Sequence, residues 1–94
     1  MAKETNTGYQ SFFHKYWVKE IKKRTGATHV GHIEGFYDKE KKVKINCVHI
    51  KSKTFELKYG GQKAFSLFTD QDYEQAISSY LKGLKYEQNE KDNG

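Results

Sequence analysis

An α+β domain is predicted by this 94-residue sequence: an N-terminal helix, an antiparallel sheet of three or four strands, and a C-terminal helix, with both helices on one sheet face. Three observations carry the prediction. Tyr73, Ala76, Ile77, Tyr80, Leu81 and Leu84 recur at helical spacing and form one apolar stripe. Thr54 to Tyr59 alternates polar and apolar residues, the mark of a strand with one buried face. Tyr9, Phe12, Phe13, Tyr16, Trp17 and Ile21 repeat with helical period near the N-terminus. Helices at both ends of a run of strands favour a sheet covered on one side.

Residues 1–8 are polar and aperiodic and read as a flexible arm, residues 9–86 as the single domain, and residues 87–94 as a flexible tail. The first helix is expected to end at Gly26, where positive φ costs no Cβ clash. Its Phe12, Phe13 and Tyr16 are expected to cover the sheet, while Lys15, Lys19 and Lys22 form a basic back.

Thr28 to Asp38 reads as a strand, loosened by Gly31 and Gly35, and Lys39 to Lys41 as a charged turn. Val43 to Cys47 alternates, and Val48 and Ile50 then shift the apolar phase by one. Either both faces of this strand are partly buried, or a bulge near Cys47 re-aims it. Lys51 to Lys53 is a turn, or the chain runs through it as one bent strand. Gly60-Gly61 is a hairpin signal, with Ala64 to Phe68 as the returning strand. A three-residue loop would pair Leu57 with Phe65 and Phe55 with Leu67, gathering the large side chains on one face. The second helix starts at Thr69, with Asp70 and Asp72 in the first turn, where the helix dipole favours carboxylates. Leu81 is placed at the middle of its buried stripe, and Gly83 near its end is expected to loosen the last turn.

Composition limits the function classes. The hydrophobic fraction is 35%, no apolar run is long enough to span a bilayer, and the N-terminus has no signal-peptide core. A single cysteine excludes an internal disulfide framework and fits the cytoplasm. The net charge of +5 suits an anionic partner. No cofactor motif and no catalytic motif is present, so the chain is read as a non-enzymatic binding protein. In one strand register, His32, Cys47, His49 and Glu34 would share a face and offer ligands to zinc, or a Cys47–histidine dyad. A slip of one residue would destroy that arrangement, and no catalytic or metal residue is assigned.

The predicted partner is nucleic acid or an acidic protein surface, with no membrane. The candidate binding residues are Lys15, Lys19, Lys22, Trp17, Tyr37, Lys42, Lys44, Lys58, Tyr59 and Lys63, in which lysines meet phosphates and aromatic rings stack on bases. The alternative is a protein-binding modulator, an adaptor or an inhibitor of a host enzyme of the kind that phages and mobile elements encode, presenting a sheet edge or a patch around Trp17 and Tyr37. Homodimerisation through an edge strand is compatible with both.

Overall fold

The computed structural model describes residues 12–93, with side chains to residue 87, so the proposed N-terminal arm lies outside the described residues. The chain runs α1 (Phe12–Thr25), β1 (His29–Asp38), β2 (Val43–Lys51), β3 (Glu56–Gly61), a 3-10 turn (Phe65–Leu67) and α2 (Asp70–Asn93). The strands form one antiparallel sheet in the order β1-β2-β3. Both helices pack on the same face. The α+β prediction is therefore met, with three strands. Among the described residues, no helix is long and apolar enough to cross a membrane.

Register divides the sheet into two faces. Val30, Ile50 and Leu57 are cross-strand partners, as are His32, Val48 and Tyr59, and these residues face the helices. On that side Tyr73 and Tyr80 of α2 are fully buried with Phe65, and Ile21 and Trp17 of α1 close over them. Trp17 stacks on Tyr73, with ring centroids 5.4 Å apart and planes 7° from parallel. Its indole N–H donates to Asp70 Oδ1 at 2.9 Å, which ties the two helices at their polar rim. Helix α2 opens on a reciprocal cap. Thr69 N–H donates to Asp72 Oδ2 at 2.8 Å, and Asp72 N–H donates to Thr69 Oγ1 at 3.3 Å.

Three expectations are corrected by the packing, and one open register is decided. First, the Gly60-Gly61 hairpin does not form. Gly60 and Gly61 continue β3, opposite Cys47 and Asn46. Ala64 to Phe68 forms the 3-10 turn instead of a strand, burying Phe65 and Phe68 and exposing Leu67. Burial at a spacing of three belongs to a tight helical turn, not to a pleated strand.

Second, α1 is turned about its axis. His14, Trp17 and Ile21 face the core, whereas Phe12 is 91% and Tyr16 56% exposed. Third, Leu81 is 41% exposed, so the α2 stripe narrows to Tyr73, Ala76, Ile77 and Tyr80, with Leu84 packed at its edge. At 100° per residue Leu81 lies about 80° from Tyr73, at the margin of the buried arc. Gly83 also has a packing role: a Cβ there would stand 2.4 Å from the Phe55 ring, which seats against the helix at that point.

The β1–β2 register, left open by the sequence, lies one residue away from the one that would gather metal ligands. His32 opposes Val48, and Ile33 opposes Cys47. The bulge lies in β1, between Ile33 and Phe36, and not in β2. Gly35 there adopts φ +73, and its N–H donates to Asn46 Oδ1 at 3.0 Å. Asn46 Nδ2 in turn donates to the Lys63 carbonyl at 3.1 Å, anchoring the chain after β3. The apolar phase shift in β2 arises because both faces are buried there. Val48 and Ile50 face the helices, while Ile45 and Cys47 are buried on the opposite face.

Candidate nucleic-acid interface

The outer face of α1 is set by what holds its inner face. His14 Nε2 is hydrogen-bonded to the Phe65 carbonyl at 3.1 Å. Arg24 makes a two-pronged contact with Glu74 of α2, at 2.9 and 2.7 Å. The guanidinium holds the Glu74 carboxyl below the usual carboxylate range. Thr25 Oγ1 donates to the Ile21 carbonyl at 2.6 Å and accepts from Ala27 N–H at 3.1 Å. Gly26, at φ +74, then ends the helix, its N–H donating to the Lys22 carbonyl at 2.9 Å.

With that orientation fixed, Phe12, Lys15, Tyr16, Lys19, Lys22 and Lys23 all lie on the solvent side of α1. Lys15, Lys19 and Lys22 recur every three to four residues, so their ammonium groups repeat about once per 5.4 Å turn, with Lys23 beside the last. None of these four lysines forms an ion pair among the described residues. Glu20, the nearby acid, reaches instead to Arg24 at 3.9 Å. Tyr16 meets Trp17 edge-on, with centroids 5.4 Å apart, so its exposed ring leans on a core side chain. The result is a convex ridge in which exposed rings alternate with uncompensated positive charge. Such a surface attracts a polyanion and offers flat apolar faces for stacking.

The other candidate residues separate into four groups. Trp17 is 5% exposed, so it is a core side chain and not part of an exposed patch, whereas its proposed patch neighbour Tyr37 is exposed. Tyr59 is half-buried on the helix-covered face. Lys58 and Lys63 are already engaged. Lys58 bonds Glu56 at 3.1 Å and lies over the Phe36 ring, 5.1 Å from its centroid. Lys63 bonds Asp72 at 2.7 Å and lies over Phe68. Tyr37, 50% exposed, and the exposed Lys42 and Lys44 stand at the far end of the β1–β2 hairpin.

The histidines and the cysteine do not converge. His32 lies on the helix side, where its Nε2 is hydrogen-bonded to the Tyr73 hydroxyl at 2.9 Å. Cys47 and His49 lie on the opposite face. Burial pushes the Cys47 thiol up, away from thiolate character. His49 Nε2 is bonded to Glu56, whose carboxyl is held low by His49 and then by Lys58. Among the described residues, no group of three or more His, Cys, Asp or Glu is placed to hold a metal ion.

Phe12, Tyr16 and Lys23 are ridge residues that the sequence reading did not assign to the contact surface. Centring the helical wheel on Trp17 and Ile21, instead of on the mean of all aromatics, would have placed them there. Compared with known proteins, the chain matches no family model, no curated protein and no solved structure.

Proposed function

We propose that this protein is a small, non-enzymatic, cytoplasmic binding protein that holds single-stranded nucleic acid along the outer face of α1. One observation carries the reading: exposed Phe12 and Tyr16 stand among Lys15, Lys19, Lys22 and Lys23, with no carboxylate paired to any of these lysines among the described residues. The lysines contact phosphates without reading sequence, and the rings stack on bases. Lysine in place of arginine across the ridge favours a sequence-tolerant grip over bidentate base recognition. The lone, buried Cys47 stays a thiol in a reducing compartment. Edge-strand dimerisation is compatible with this reading, since β1 and β3 are both sheet edges.

Reversing Lys15, Lys19 and Lys22 to glutamate is the test. The variant should keep the wild-type circular-dichroism spectrum, because exposed charges contribute little to stability. Its affinity for a labelled single-stranded oligonucleotide should fall on the order of a hundredfold or more, as three attractive contacts become repulsive. A folded variant with wild-type affinity would reduce the ridge to a solvated face. A wild-type protein that ignores oligonucleotides but captures an acidic protein through the same lysines would favour the modulator.

A further inference from the structure

The β1–β2 hairpin extends past the end of β3. Pairing of β2 with β3 stops at Asn46, whereas pairing with β1 continues through Phe36–Ile45, Tyr37–Lys44 and Asp38–Val43. Its end is therefore a two-stranded ribbon closed by Lys39, Glu40, Lys41 and Lys42. The turn is held from within. The Asp38 carbonyl accepts Lys42 N–H at 2.7 Å, and Asp38 Oδ1 accepts the N–H groups of Glu40 at 2.9 Å and Lys41 at 3.1 Å. The Asp38 carboxylate is thus turned toward backbone donors, leaving Glu40 as the exposed acid beside Lys39, Lys41, Lys42 and Lys44. None of those lysines has an ion-pair partner among the described residues.

Lys42 has φ 61, and among the described residues it alone combines positive φ with a side chain. Glycine or asparagine would adopt that backbone with less strain. The turn thus places a lysine where a smaller residue would be less strained, on the same ribbon end as the exposed Tyr37 and its cross-strand partner Lys44.

We propose that the hairpin tip is a second phosphate-contact element for the same nucleic-acid strand, with Lys42 as its central cation and Tyr37 beside Lys44 as a stacking ring. This inference rests on the reading of α1 given above. The tip and the ridge share one chemistry, lysine with exposed tyrosine, which a flexible polyanion long enough to reach from one to the other would engage. Two linked contacts raise affinity for strands long enough to reach both, and leave short strands bound at one.

The test measures binding of roughly 5- and roughly 20-nucleotide oligothymidylates to wild type and to Lys42→Gly and Lys42→Asn. Both variants tolerate positive φ, so their melting temperatures should equal or exceed that of wild type. Their affinity for the long strand should fall about three- to tenfold, and the slope of log K against log salt should shrink by about 0.7, one single-strand phosphate contact. Binding of the short strand at the ridge should change less than about twofold. Wild-type affinity and slope for the long strand in both variants would overturn the hairpin contact and leave the α1 reading standing. No binding of either strand by wild type at low salt would overturn both. Equal displacement of the strand by polyglutamate would also overturn the inference, by showing a generic polyanion surface.

Discussion

Gly60→Ala is expected to destabilise the fold by roughly 3 kcal/mol or more, placing it among the severe single substitutions. An added Cβ would stand 2.0 Å from the Asn46 carbonyl oxygen and 2.6 Å from the Cys47 Cα. Both are backbone atoms of the central strand, so no rotamer change can relieve the overlap. Strand β3 would have to part from β2 along Asn46–Gly61 and Cys47–Gly60, and Leu57 and Tyr59 would shift with it. Gly61→Ala provides the control. Nothing lies within 4 Å of a Cβ at Gly61, so its cost should stay near that of an ordinary strand glycine replacement. Urea melts of the two variants check this, and equal midpoints would refute the close approach at Gly60.

Acidification is expected to produce the second largest effect, through His32. Burial, then the neighbouring His14, lowers the His32 pKa from 6.5 to about 4. The ring is enclosed by Phe65 at 4.8 Å, His14 at 5.6 Å and Tyr73 at 6.0 Å between centroids. Its Nε2 is bonded to the Tyr73 hydroxyl, itself pushed up by burial and by Asp72, and therefore neutral. Between pH 6.5 and about 4 the unfolded chain takes up a proton that the folded chain refuses. The stabilising contribution is thus complete above pH 6.5 and declines as pH falls to about 4. The loss amounts to about 3 kcal/mol at most. Thermal melts at neutral pH and at mildly acid pH, for wild type and His32→Gln, isolate this group. The depressed carboxylates Glu56, Asp72 and Glu74 are common to both proteins. The variant should lose markedly less stability on acidification, and an identical loss would contradict the role of His32.

What was legible in the sequence divides along periodicity. Tyr73, Ala76, Ile77 and Tyr80 lie within about 60° of Tyr73 on a helical wheel, so the α2 core could be read directly. Gly26 was legible because a positive-φ stop after a basic last turn has one common geometry. The face of α1 was not, because aromatic residues lie on opposite sides of it. Phe12 is half a turn away from Ile21, and only packing decides which side is covered.

Register was the least legible feature. The bulge at Gly35 sets the one-residue slip that separates His32 from Cys47, and the Asn46 side chain that binds the Gly35 N–H there is a contact that no local pattern announces. Gly60 carries the same lesson in reverse. Its sequence context is that of a turn, but its lack of a Cβ is used for strand proximity. The lysines Lys15, Lys19 and Lys22 were grouped correctly by their spacing, and their exposed aromatic neighbours emerged only with the orientation of the helix.

The most direct measurement of the central claim is the salt dependence of oligonucleotide binding by the unmodified protein. If the four ridge lysines each replace a counterion on a single strand, log K should fall linearly with log salt, with a slope of about −3. A contribution from the hairpin tip would steepen it by about 0.7 per added contact. A slope near zero, or no binding at low ionic strength, would contradict nucleic-acid recognition by this surface.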